Sequence, residues 1–216
     1  MNSTNIIELF DKWKKEHKSD QNFSGNCTLK GEKAKGNFVL DGRFDNNKKD
    51  GGILFICKES NVEVDTTYGE KEFWLKKVVE AKSSNPPQYY NAKTVIDKRA
   101  QTKYYNCLCH IIDKLNNELK TNYDIKDCAY MNINKRGGTS VANNKKIINY
   151  FNQYYSKYIR NEIVLLNCDY IVVFCYEQFE ESIVKELRNI NGYTDKIYGY
   201  EKHPSRYSKK CEPKKL

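Results

Sequence analysis

Long apolar runs are missing from this chain. The best stretches, Ile163 to Leu166 and Ile171 to Cys175, are short and interrupted. A membrane-spanning helix needs ~20 such residues in a row, so no membrane span is expected. The first residues carry Glu8 and Asp11 inside a helical pattern, which reads as a folded helix and not as a secretory leader. Metal-ligand spacings are scarce as well. Cys107-Leu108-Cys109-His110 is the one tempting cluster. On a helix advancing roughly 100° per residue its two thiols stand about 160° apart and cannot share an ion. The His-x-Glu and Cys-x-x-Cys signature of zinc-dependent deaminases does not occur. Neither an internal repeat nor a low-complexity tract is visible, apart from a basic tail over residues 209–216. No metal or cofactor is expected.

The eight cysteines that are present are scattered, and Cys57, Cys128 and Cys175 fall in or beside apolar segments. That pattern fits buried reduced thiols in a cytoplasmic protein better than a disulfide framework. With 216 residues, 39% hydrophobic and 30% charged, the chain suits one domain with a real core. Its 37 Lys and Arg against 28 Asp and Glu leave a formal charge of +9, which favours a polyanionic partner, nucleic acid first. The competing reading is a lysine-rich solvated surface. Seventeen tyrosines add aromatic faces on which bases can stack, though a core rim uses tyrosine equally well.

Helical and strand patterns alternate along the chain. Ile6, Ile7, Phe10 and Trp13 mark an amphipathic helix through about His17, followed by a polar covering segment to residue 37. Ile53-Leu54-Phe55-Ile56-Cys57 is a continuous apolar run, as in a strand buried on both faces. A helical pattern over residues 70–82 ends at Pro86-Pro87. The clearest helix carries Tyr104, Leu108, Ile111, Ile112, Leu115 and Leu119 on one stripe. Cys128 to Ile133 reads as a second strand ending at Asn134-Lys135-Arg136-Gly137-Gly138. A basic aromatic helix then runs from Lys145 to about Leu166, divided near Tyr158. Tyr170 to Phe174 is a third strand, Phe179 to Arg188 a helix, and Lys196 to Tyr200 a fourth strand. Such alternation predicts an α/β fold with a largely parallel sheet, whose function gathers at the carboxyl ends of its strands.

Those ends hold Lys58-Glu59-Ser60-Asn61, Asn132 through Gly138, Cys175-Tyr176-Glu177 and His203-Pro204-Ser205-Arg206-Tyr207-Ser208. The last of these fixes one of only three histidines against a proline, which biases His203 to extended backbone. A carboxylate, an amide and a histidine thus sit at neighbouring strand ends.

This ordered set resembles the uracil-DNA glycosylase superfamily. His203-Pro204-Ser205 is similar to its His-Pro-Ser motif, with Tyr207 where a bulky wedge follows. Tyr130-Met131-Asn132-Ile133-Asn134-Lys135 resembles its pyrimidine-recognition strand, and Ile53 through Asn61 its first motif. The likeness spans roughly residues 38–208. It implies a single domain over residues 1–216, a three-layer α/β/α sandwich around a mainly parallel four-stranded sheet. The implied activity is that of a monofunctional DNA glycosylase, acting as a monomer on uracil or a modified pyrimidine. Modified cytosine in phage DNA is one such substrate, and it would make the chain a defence enzyme. The alternative is a glycosylase-fold module that binds DNA or protein without catalysis. The first motif departs from the family, which usually places Gly where Lys58 stands. Ser60 replaces the water-activating Asp or Asn of other branches. The four-cysteine spacing of the iron–sulfur branches is absent, so no cluster is expected.

The resemblance assigns roles that the residues can physically fill. Asn132 would read the Watson–Crick edge, since an amide offers both donors and an acceptor. His203 would donate to the base O2 as negative charge develops there. Glu59 would position water or stabilise the cationic sugar, with Asp65 as fallback, and Ser60 could hold that water without acting as a strong base. Ser60, Asn61, Tyr68 and Phe73 would line the base site, although Phe73 and Trp74 in a helical pattern are also ordinary core residues. Lys135, Arg136, Gly137, Gly138, Ser205 and Arg206 would meet phosphates, and Tyr207 would wedge the gap left in the duplex.

Overall fold

The apolar runs become the centre of a six-stranded sheet in the computed structural model, which describes residues 5–19, 42–45, 47–60, 98–137, 144–206 and 210–216. The strands are β1 (Gly42–Arg43), β2 (Ile53–Ser60), β3 (Ala129–Gly137), β4 (Tyr170–Phe174), β5 (Ile197–Tyr200) and β6 (Lys214–Lys215), in the spatial order β1-β3-β2-β4-β5-β6. The four long strands pair in parallel, and the two-residue edges β1 and β6 pair antiparallel. The fold is therefore mixed α/β. Its sheet has six strands where four are expected, because both short edges lack any apolar signal.

Side chains alternate across the sheet, and each face is apolar. Leu54, Ile56, Met131, Ile133, Ile171, Val173 and Ile197 form one face. They meet helices α1 (Ile6–Ser19), α3 (Asn144–Tyr150), α4 (Ser156–Leu166) and α5 (Lys185–Arg188). Ile53, Phe55, Cys57, Tyr130, Val172, Phe174 and Tyr198 form the other, against Cys107, Leu108, Ile111, Ile112 and Leu115 of α2 (Lys98–Leu119). Burial of one large apolar side chain is worth ~1.5–3 kcal/mol, so both faces hold the sheet firmly. Among the described residues no helix is long and apolar enough to cross a membrane.

The division expected near Tyr158 is a π turn at Phe151–Tyr155, which joins α3 to α4. The extra residue shifts the helical phase, leaving Phe151, Tyr155 and Tyr158 all turned inward. Trp13 of α1 stacks on Tyr158 with centroids 5.0 Å apart and meets Tyr155 edge-on at 5.3 Å. At the amino pole of the sheet, Arg43 donates to the carbonyls of Asp127 (2.9 Å), Gly51 (3.0 Å) and Leu166. It thereby satisfies the C-terminal end of α4, which closes on left-handed Asn167. Gly52 sits in the same corner with φ +78°, where a Cβ would stand 2.1 Å from the Asp127 carbonyl oxygen.

Order and direction fix where a ligand can reach. From β2 the chain passes to β3 on one side, then crosses back to β4 and β5 on the other. Crevices open at the carboxyl ends where connections diverge in this way, here at the ends of β2 and β4. The N-terminal turns of α2 and α3 share that pole, as the contacts of Tyr104 with His203 and of Asn144 with Gln178 require. Helix N-termini add positive potential there.

Candidate active site

His203 follows β5 and leads into a 3-10 turn at Pro204–Arg206, closed by the Arg206 N–H donating to the His203 carbonyl at 2.8 Å. Proline at the first position of that turn has no N–H to leave unpaired and presets φ for it. The imidazole is half-buried and meets Tyr104 of α2 at 87°, with ring centroids 5.3 Å apart. The Tyr104 hydroxyl oxygen stands 2.8 Å from Nε2 and 3.3 Å from Nδ1. An oxygen at both distances within the ring plane would overlap Cε1, so it stands over the imidazole face. Tyr104 thus clamps the ring from one side.

Burial, with Lys58 and then Arg206 adding like charge, pushes the His203 pKa down to about 4. The ring is neutral near pH 7, hence a hydrogen-bond donor and not a resident cation. Burial also raises the Tyr104 phenol, with the Cys57, Cys175 and Cys107 thiols acting in the same sense, so Tyr104 stays protonated.

Lys58, at the end of β2, is half-buried. Its ammonium donates to Gln178 Oε1 at 2.6 Å and lies 5.8 Å from the centroid of Phe179. Asn144 Nδ2 donates to the same oxygen at 2.6 Å, so a carbonyl fixed from α3 holds the ammonium in place. Cys175 ends β4 in a left-handed conformation, φ 55° and ψ 38°, with its N–H on the Tyr200 carbonyl at 2.7 Å. Burial raises its thiol pKa against the pull of Lys58 and Arg206, which leaves Cys175 a thiol and a poor nucleophile near neutrality.

Asn132 and Asn134 lie two residues apart on β3, each 1% exposed, opposite Cys57 and Glu59 in the pairing register. Asn132 is therefore one strand away from Cys57, whose thiol acts on Tyr104. The structure brings together His203, Tyr104, Lys58, Cys175 and Arg206, while Asn132 is buried on β3, one strand over from Cys57. Glu59 and Ser60 belong to β2 at a shift in register, with Ser60 opposite Gly137. The side chains of Glu59, Ser60, Arg136 and Ser205 lie outside the described residues. So do Asn61, Asp65, Tyr68, Phe73, Trp74, Gly138 and Tyr207 altogether.

Lys135 does not fit a phosphate contact. It is fully buried, its ammonium 3.0 and 2.9 Å from the two oxygens of the equally buried Glu162. Phe10 and Trp13 cover it at 5.6 and 5.3 Å from their ring centroids. The side chain points to the α1–α4 face and ties β3 to α4. Arg206 is exposed at the pole, a position from which a guanidinium can meet an anion. A surface depression lined by Asn152, Ser156, Lys157, Arg160 and Glu186 lies on the helical side. Its cations are already paired, Lys157 with Glu16 and Arg160 with Glu186.

Sequence reasoning missed Tyr104 and Gln178. Tyr104 began an apolar stripe and Gln178 lay between a strand and a helix, so neither carried a signal without the third dimension. No protein-family model, curated protein or solved structure matches this chain. What stands is a mixed α/β protein with a polar, cationic corner at its topological switch point.

Proposed function

We propose that this chain is a monofunctional DNA glycosylase, built as a three-layer α/β/α domain and acting as a cytoplasmic monomer on DNA carrying uracil or a modified pyrimidine. The observation that carries the reading is the neutral His203, clamped by Tyr104 beside the Lys58 ammonium at the switch point of the sheet. Base excision needs a donor that strengthens as charge appears on the leaving ring. A neutral imidazole N–H has that property, because its hydrogen bond gains most in the transition state.

In the reaction the target base leaves the stack at a cost of a few kcal/mol. Asn132 reads its Watson–Crick edge from the floor of the site. The C1′–N1 bond breaks and its electron pair passes into the pyrimidine, where His203 donates to O2. Water adds to the sugar at C1′ and gives up a proton that ends on the departing base, with Glu59 assigned to place that water. The result is a free base and an abasic site. Arg206, the N-terminal turns of α2 and α3 and the net charge of +9 favour the phosphate backbone at this pole. A modified cytosine of phage DNA is a substrate within this reading and would make the chain an antiviral enzyme. Incubation with uracil-containing oligonucleotides and with phage DNAs bearing modified cytosines, followed by assay of free base and abasic sites, tests the proposal. Release of a base supports it; DNA binding with no release from any substrate leaves only the binding module.

A further inference from the structure

Lys58 stands where related-looking motifs carry a glycine, and the structure gives its ammonium a fixed place. Gln178 Oε1 holds it at 2.6 Å, and Asn144 holds the same oxygen at 2.6 Å from another helix. Both bonds lie at the exposed rim of the site, yet together they restrict the rotamers that a long side chain otherwise keeps. The ammonium reaches the Cys175 thiol at the end of β4 and acts on His203, so it sits at the mouth of the crevice between β2 and β4. We propose that Lys58 is a second catalytic group, a fixed cation that shares with His203 the negative charge of the departing pyrimidine. This rests on the glycosylase reading and deepens it.

The chemistry is complementary. As the C1′–N1 bond breaks, its pair delocalises over N1 and O2 of the base. A neutral imidazole donates one hydrogen bond to that charge but carries no countercharge. An ammonium supplies the countercharge and several donors in a site partly shielded from water, where electrostatics acts most strongly. The groups facing His203 fit this division of labour. Tyr104 comes from α2, Lys58 from β2, Arg206 from its own turn, and the Cys57, Cys107 and Cys175 thiols surround Tyr104. Two cations beside a neutral histidine form a receptor for an anion.

The test compares single-turnover release of uracil and of 5-fluorouracil from otherwise identical oligonucleotides, with His203 followed by NMR titration. Fluorine makes the leaving pyrimidine a better anion, so it depends less on external stabilisation. Lys58→Met should slow uracil release by about 10²-fold, the loss typical of one removed transition-state donor. Release of 5-fluorouracil should fall by roughly tenfold or less, and Lys58→Arg should recover most of the rate. In Lys58→Met the His203 midpoint should also rise, since a neighbouring cation is gone. Equal loss on both bases, or an unmoved His203 midpoint, overturns the inference. Wild-type protein that releases neither of these bases, nor a modified cytosine from phage DNA, overturns the glycosylase reading itself. A shifted midpoint would then keep Lys58 beside the ring and withdraw its role on a leaving group.

Discussion

Removing the Lys135 side chain should damage this protein far more than removing any surface lysine. Its ammonium and the Glu162 carboxylate are both fully buried, 2.9 Å apart at closest approach. Attraction at that distance is on the order of 5 kcal/mol at an effective dielectric of ~20, and the desolvation of two ions opposes it. The net worth of the pair is small, but breaking it leaves a buried charge alone. Lys135→Met and Glu162→Leu should each cost ~3–5 kcal/mol. The double variant should return to within ~1–2 kcal/mol of wild type, or exceed it, because apolar side chains of similar volume fill the same space. Urea denaturation of all four proteins closes the cycle and reads the coupling directly. In a chain of this size the single variants should melt lower by on the order of 10 °C. The double variant should also keep the salt dependence of DNA binding unchanged, because Lys135 meets no phosphate. A loss below ~1 kcal/mol for Lys135→Met, or a double variant no better than the singles, refutes the reasoning.

Three further outcomes follow from the same geometry. His203 should show no titration near the usual histidine range and should protonate only toward pH 4, as NMR of the ring protons would reveal. The sign follows from linkage: the unfolded chain takes up this proton first, so His203 contributes stability that is full above pH ~6.5 and declines as pH falls to about 4. A His203 midpoint near 6.5 contradicts the burial described. Gly52→Ala should destabilise by ~2 kcal/mol or more, since its φ of +78° and a Cβ 2.1 Å from the Asp127 oxygen leave no room. Chemical denaturation checks this, and a neutral result would contradict the tight corner at Arg43.

Much of the frame was legible because burial on both faces writes a simple signal. Three apolar runs and the short alternating stretch Lys196 to Tyr200 marked the four parallel strands, and the Tyr104–Leu119 stripe marked α2. The edges were not legible. Gly42–Arg43 and Lys214–Lys215 are strands through backbone pairing alone, with no apolar pattern to announce them. The segment read as a basic tail pairs with β5 and packs the half-buried Leu216 against the core. Strand β3 runs on to Gly137, past the point where polar residues suggested a loop. That extension turns Lys135 inward toward Glu162, a partner 27 positions away that no local pattern could supply. In the candidate site, His203 and Asn132 were named from sequence by their motifs. The clamp by Tyr104 and the anchoring of Lys58 by Gln178 depend on contacts across 99 and 120 positions and emerged only from the fold.

Base release is the most direct measurement. Wild-type protein, His203→Ala and Asn132→Ala would be incubated with uracil-containing oligonucleotides and with phage DNAs carrying modified cytosines, and free base would be measured in a single turnover. The account predicts release by the wild type from at least one substrate. It predicts a loss of about 10²-fold or more in His203→Ala, the scale of one lost transition-state donor. Absence of release from every substrate, or an unchanged rate in His203→Ala, would contradict it.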